Sequence, residues 1–432
     1  MKKIALLAGI VCITNYALGE TTTSDTQVKL EGLFGFQSGF RSQNKLSGAE
    51  KKLSTNRKDF AFYSEATIAA TVAQTVNDLT YGGKLVLVPT TRMKTSPSYN
   101  GSHLFLESEF GKVEAGSPYD AGSKMRIIAD DIAAASGSWD RYAALDGENL
   151  MYYGSNNQIT KGIAPEFITY KEYFFDSVFK TKLDQIHDGA EPARKISYFT
   201  PKTQGFQFGI SYIPDSGNVG GGTHNDDPFK SKSGVTDVKV DGDNTYVLNR
   251  NVKDAFSAGV TYEYNISEGV DLKVGAAGEY GKAAGKIKLI YKKGKEGQED
   301  KEEYKPSDLR TYNLGAILTY GSFSYAASYG TLGKSLTSKE YHKTGRNTWY
   351  YNGSIAYSQG PTKTSVSYFK SDRFKSTVDA ITVGTEYKVG SGLLPYAEIS
   401  YFQAKGRPVH YPEAPKKKTK GTVAIIGAKL CM

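Results

Sequence analysis

The strongest signal along this chain is a period of two. From Ser322 to Tyr329 it reads S-F-S-Y-A-A-S-Y, so Phe323, Tyr325, Ala327 and Tyr329 point one way. Ser322, Ser324, Ala326 and Ser328 point the other. Successive side chains of a strand face opposite sides, which gives this segment one apolar and one polar face. The pattern recurs with Phe256, Ala258, Val260, Tyr262 and Tyr264, with Tyr312, Leu314, Ala316, Leu318 and Tyr320, and with Phe206, Phe208, Ile210 and Tyr212. Near the N-terminus Val28, Leu30, Phe34 and Phe36 share one face, and Lys29, Glu31 and Gln37 share the other.

Such segments number about sixteen, each near the ~9–11 residues that a tilted membrane strand needs. They begin near Val28, Asp59, Leu79, Ser102, Lys112, Lys195, Gly205, Ala255, Asp271, Thr311, Ser322, Thr348, Lys363, Val378, Leu393 and Thr422. The connections alternate in length. Long ones span Arg41 to Lys58, Thr90 to Gly101, Ser117 to Arg194, Pro214 to Asp254, Lys282 to Arg310, Thr331 to Arg346 and Ala404 to Lys420. Short ones lie between them, down to the single Gly111 and Gly321; Ser371 to Ser376 is brief where a long loop is due. An up-and-down membrane barrel has short turns on one side and long loops on the other. A Greek-key sandwich has no such alternation. The fold expected is all-β, a transmembrane antiparallel up-and-down barrel over residues 20–432.

The N-terminus supplies an export signal. Lys2 and Lys3 precede the apolar stretch Ile4 to Ile13, and Ala17-Leu18-Gly19 offers small residues for cleavage after Gly19. Removing residues 1–19 takes Cys12 with it, leaves Cys431 as the one cysteine and lowers the formal charge from +9 to +7. One cysteine excludes an intrachain disulfide framework. The 31 Tyr, 20 Phe and 46 Gly suit strands, turns and interfacial rings. Mean hydropathy is negative, which a barrel tolerates because only alternate residues meet lipid.

Catalytic chemistry is poorly represented. His103, His187, His224, His342 and His410 form no H-x-x-x-H pair and have no neighbouring cysteine. Gly220 to Gly222 lacks the strand and helix of a phosphate loop. Lys416 to Lys420 is a loop charge run that suits lipopolysaccharide better than nucleic acid in an exported chain. No enzyme activity, cofactor or metal is expected.

The connection after the fifth strand is different. Residues 117–194 mix Ile127, Ile128, Ile132, Trp139 and Leu145 with Asp120, Asp130, Asp131, Asp140 and Asp146, and Ile127 to Ala135 reads as a short helix. A solvated loop has little use for Ile-Ile and Trp; a loop packed inside a barrel does. An outer loop resting on its neighbours is the alternative.

Two segments carry a family resemblance. Leu104-Phe105-Leu106-Glu107-Ser108-Glu109-Phe110-Gly111-Lys112-Val113-Glu114-Ala115-Gly116 resembles the strand-turn-strand before the constriction loop of general Gram-negative porins. The run Ile196 to Tyr212, with Tyr198, Thr200-Pro201 and Gly205-Phe206, resembles their Y-x-(S/T)-P-x-x-x-G-F hairpin. The resemblance implies a sixteen-stranded barrel, a homotrimer in the outer membrane of a Gram-negative bacterium, and a third outer loop folded inward. It implies acidic loop residues facing basic wall residues. Here the loop acids would be Asp120, Asp130, Asp131 and Asp140, and the wall bases Lys29, Lys84 and Lys112. Glu31, Glu65, Glu107, Glu109 and Glu114 share that wall, and the arginine cluster of the family is replaced mostly by lysines. The chain ends Ala428-Lys429-Leu430-Cys431-Met432 rather than on an aromatic residue. The expected function is passive diffusion of ions and small hydrophilic solutes through a water-filled pore, with outer-membrane lipid and lipopolysaccharide as surroundings. A surface barrel serving adhesion is the rival.

Overall fold

The computed structural model describes residues 26–44, 59–88, 98–135, 139–143, 193–216, 235–240, 244–249, 252–284, 287–293, 298–336, 347–373, 375–390, 392–406 and 417–432. The expected signal segment 1–19 and all of 144–192 lie outside them, as do His187, His224, His342 and His410.

In chain order the strands are β1 (Thr26–Gln43), β2 (Phe60–Val76), β3 (Leu79–Val88), β4 (Ser98–Ser108), β5 (Gly111–Gly116), β6 (Lys195–Phe199) and β7 (Phe206–Asp215). Then come β8 (Val235–Val240), β9 (Asn244–Asn249), β10 (Val252–Ser267), β11 (Val270–Ala283), β12 (Ile287–Lys293), β13 (Gln298–Tyr304) and β14 (Leu309–Tyr320). The last are β15 (Phe323–Gly333), β16 (Thr348–Gln359), β17 (Thr362–Arg373), β18 (Ser376–Tyr387), β19 (Leu393–Gly406) and β20 (Lys417–Cys431). All but β8, β9, β12 and β13 form one closed antiparallel barrel of sixteen strands, each paired with its neighbours in sequence. Closure runs from Leu33↔Cys431 to Gln43↔Gly421, between β1 and β20. The non-aromatic C-terminus therefore still pairs, and Met432 exchanges both backbone bonds with Gly32 at 2.9 Å.

Alternation along each strand sorts the two faces. In β7 Phe206, Phe208, Ile210 and Tyr212 are exposed, while Gly209, Ser211 and Ile213 are buried. The exposed set forms bands around the outside. Near the short turns, Phe206 stacks on Tyr262 (4.2 Å between ring centroids) and Phe323 lies against Tyr357 (4.9 Å). Toward the long connections, Tyr212 meets Phe256 (5.1 Å) and Tyr351 meets Trp349 (5.7 Å). Exposed aliphatic residues such as Leu314, Ile355, Val366 and Ile399 fill the band between. Amphipathic rings at two levels with aliphatic surface between them match a bilayer and its two interfaces. Among the described residues no helix is long and apolar enough to cross a membrane; the strands do the crossing.

The sixteen expected barrel strands and the alternation of connection lengths are present. Gly321, at φ +56°, makes the tight turn between β14 and β15 where a side chain would be strained. Three features differ from expectation. The strands β5 and β6 have only 6 and 5 residues, because the chain leaves the wall early. The strand β20 starts at Lys417, so most of the Lys416 to Lys420 run belongs to a strand. Two connections expected to be plain loops carry β8, β9, β12 and β13, which pair in the order β13-β12-β9-β8 as a separate sheet.

Outward Leu314 and inward Thr319 on the same strand offer a direct check of the two faces. Leu314→Arg should destabilise the barrel by roughly 2–4 kcal/mol in urea titrations of protein folded into lipid vesicles. Thr319→Arg should be tolerated under the same conditions.

Candidate functional site

The chain leaves β5 at Gly116 and enters a segment that contacts the wall for much of its circumference. Its elements are α1 (Ala121–Met125), a 3-10 turn (Ala129–Ile132) and α2 (Trp139–Tyr142). Asp120 starts α1: its side chain accepts from the Ser123 amide and hydroxyl, both at 2.9 Å, which satisfies a donor that the helix leaves open. Two more amides of this turn find wall hydroxyls. Ala121 N donates to Ser211 Oγ (2.8 Å) and Gly122 N to Ser257 Oγ (2.9 Å), and Ser257 in turn donates to Asp120.

Further along, Ala134 N donates to Ser365 Oγ (2.8 Å) and Ala135 N to Glu386 Oε2 (3.0 Å). Lys429 Nζ donates to the Ala135 carbonyl (2.6 Å), and Arg41 Nη1 to that of Tyr142 (2.9 Å). Trp139 is fully buried and stacks on Phe402 with centroids 5.2 Å apart. Every wall partner named here belongs to the set opposite the exposed apolar residues.

The wall makes room with glycines. A Cβ placed on Gly39 would sit 2.1 Å from the Tyr142 ring, and one on Gly315 would sit 2.2 Å from the Ile127 carbonyl oxygen. Gly209, Gly259, Gly275 and Gly384 meet the same segment under 3.1 Å. Six strands thus present a bare backbone where the segment lies.

Charged groups gather in small sets on the same inward face. Glu31 accepts from Lys29 (2.6 Å) and Lys84 (2.9 Å). Lys112 lies 3.4 Å from Glu114 and 3.8 Å from Glu107, with its ammonium over the Phe105 ring. Glu114, almost wholly buried, also binds Lys124 of α1 and stands 3.9 Å from His103. Glu263 holds both Lys202 and Lys273. Desolvation lowers the Lys124 pKa, opposed chiefly by Glu114. Desolvation also raises the Asp131 carboxyl, against the Ile128 amide that donates to it at 3.0 Å.

Lys29, Lys84 and Lys112 share the parity opposite the exposed apolar residues of their strands, and their partners are wall carboxylates rather than the loop acids. Asp120 is buried as a helix cap. Asp130 and Asp131 sit in the 3-10 turn, with Asn352 Nδ2 at 3.5 Å from Asp130 Oδ1, and Asp140 is in α2. Sequence reasoning missed the basic member of the segment, Lys124, and the wall anchors Ser211, Ser257, Ser365, Glu386 and Lys429. Their signal was available in the inward parity of serines and glycines, but many inward positions share it. Among the described residues no group of histidine, cysteine and carboxylates could hold a metal ion.

Comparison with known proteins agrees with this geometry. An uncharacterized protein of Rickettsia bellii is 52% identical and one of Rickettsia felis 48% identical, each over the full length of both chains. Among solved structures, an anion-selective porin from Comamonas acidovorans is similar in fold at 12% identity, with a TM-score of 0.50 over 94% of this chain and 100% of the other. The profile of the Gram-negative porin family matches residues 5–407, and the chain belongs to that family.

Proposed function

We propose that this protein is an outer-membrane channel of a Gram-negative bacterium, exported by residues 1–19, through which ions and small hydrophilic solutes diffuse passively. The observation that carries the reading is a closed barrel of sixteen strands with a hydroxyl-rich, charged inward face. A barrel of this strand number encloses more space than wall side chains fill, so water occupies the rest. No bond is made or broken; selectivity comes from the narrowest diameter and the charges beside it.

The segment 117–143 is the constriction in this reading, an inward-folded third outer loop. Hydroxyl and glycine contacts hold it to the wall. Asp130 and Asp131 are its acids on the path, while Asp120 is consumed by Ser123 and Ser257. Lys29, Lys84 and Lys112 line the path already partnered by Glu31, Glu107 and Glu114.

The oligomer is a homotrimer in which the outer face of β20, β1 and β2 meets a neighbour. That sector has no outward tyrosine. It carries exposed Phe34, Phe36, Phe40, Phe60 and Phe62 instead, with Phe36 and Phe62 stacked at 5.6 Å. Rings without a polar tip gain little from lipid headgroups and suit a protein neighbour.

Purified protein added to a planar lipid bilayer should produce stepwise, ohmic conductance. Insertion without conductance would overturn the channel and favour a surface role. Gly315→Val should push Ile127 off the wall and lower unit conductance by about twofold or more, with heat-modifiable gel migration showing that the barrel still closes. Phe36→Ala with Phe62→Ala should release monomer under mild detergent conditions that keep the native oligomer intact, as seen by light scattering.

A further inference from the structure

Among the described residues other than glycine with positive φ, one belongs to the segment that packs on the wall: Ala135, at φ +67°. Left-handed backbone crowds the Cβ of an L-residue against a carbonyl oxygen, and alanine has no polar side chain to offset that. Such a conformation persists only where the surroundings hold it.

The wall holds both backbone groups of Ala135 with charged side chains. Its N–H donates to Glu386 Oε2 (3.0 Å), and its carbonyl accepts from Lys429 Nζ (2.6 Å). Hydrogen bonds to ionised groups are the stronger kind. The Lys429 ammonium also lies 5.2 Å from the centre of the Tyr396 ring, and Tyr396 donates to Gln37 Oε1 (2.7 Å), so this lysine is itself braced. The preceding residues are held differently. Ala134 N meets the neutral hydroxyl of Ser365 (2.8 Å), and Lys363 Nζ reaches the Ala133 carbonyl at 3.4 Å. Ala133 has ordinary backbone at φ −67°. The two firm charged contacts therefore fall on the strained residue. Gly384 lets the wall come this close: a Cβ there would sit 2.8 Å from the Ala134 carbonyl oxygen.

We propose that Ala135 is a loaded hinge, clamped in left-handed backbone by Glu386 and Lys429, whose relaxation to negative φ swings the adjoining segment off the wall. The strain favours release and the clamp opposes it, so the segment has two arrangements rather than one. The consequence for conduction rests on the reading of 117–143 as the constriction: an unclamped hinge partly closes the path.

Trp139 reports the hinge independently of conduction. It lies just beyond Ala135, is fully buried and stacks on Phe402. Trp349 is the other tryptophan of the chain. In the full-length Trp349→Phe protein in detergent, Glu386→Ala or Lys429→Met should raise acrylamide quenching of Trp139 by about twofold or more. Adding Ala135→Gly to either should return quenching to that of the Trp349→Phe protein, because glycine accepts positive φ without strain. Adding Ala133→Gly should not. The direction is diagnostic, since glycine at an ordinary φ adds chain freedom and loosens structure. Heat-modifiable migration confirms that each variant still forms its barrel.

Unchanged quenching in the clamp variants, no rescue by Ala135→Gly, or equal rescue by Ala133→Gly would overturn the hinge. In planar bilayers the clamp variants should dwell about twofold longer in a reduced-conductance level. Quenching that follows the expected pattern while conductance stays the same refutes the constriction and supports the hinge. Conducting variants with unaltered quenching overturn the hinge and leave the channel standing.

Discussion

Backbone groups facing hydrocarbon have no water to bond, so every strand of the barrel wall must find a neighbour on both sides. That requirement closes β20 onto β1 and leaves no lipid-exposed edge. It also divides each strand strictly into outward and inward residues, since a one-residue slip would expose the polar set to lipid. The rings at two levels, the hydroxyl-rich interior and the alternation of turn and loop lengths all descend from this one constraint.

The same accounting applies to a segment without regular pairing that packs on the wall. Residues 117–135 and 139–143 carry backbone donors and acceptors, and many of these residues are buried. The wall satisfies many of them with Ser211, Ser257, Ser365, Glu386, Lys429 and Arg41. Glycines allow the approach, and Trp139 against Phe402 adds apolar contact. Several short anchors spread over the wall hold such a segment better than one strong contact, because each fixes a different stretch of chain. The charges follow a similar rule: Lys112 and Lys124 both stand beside the buried Glu114, which keeps costly charged groups compensated where hydration is reduced.

Alternation in segments such as Phe206 to Tyr212 and Ser322 to Tyr329 carried the barrel, its strand number and the division of each strand into two faces. These are local properties, since a strand's facing depends only on parity. The four extra strands stayed hidden in polar stretches such as Gln298–Tyr304, where pairing partners outweigh propensity. The capping of Asp120, the salt bridge from Lys124 to Glu114 and the bed of inward glycines joined residues far apart in the chain. Which serine meets which amide depends on where the segment settles against a closed wall, and that is decided by packing in three dimensions rather than by any spacing along one strand.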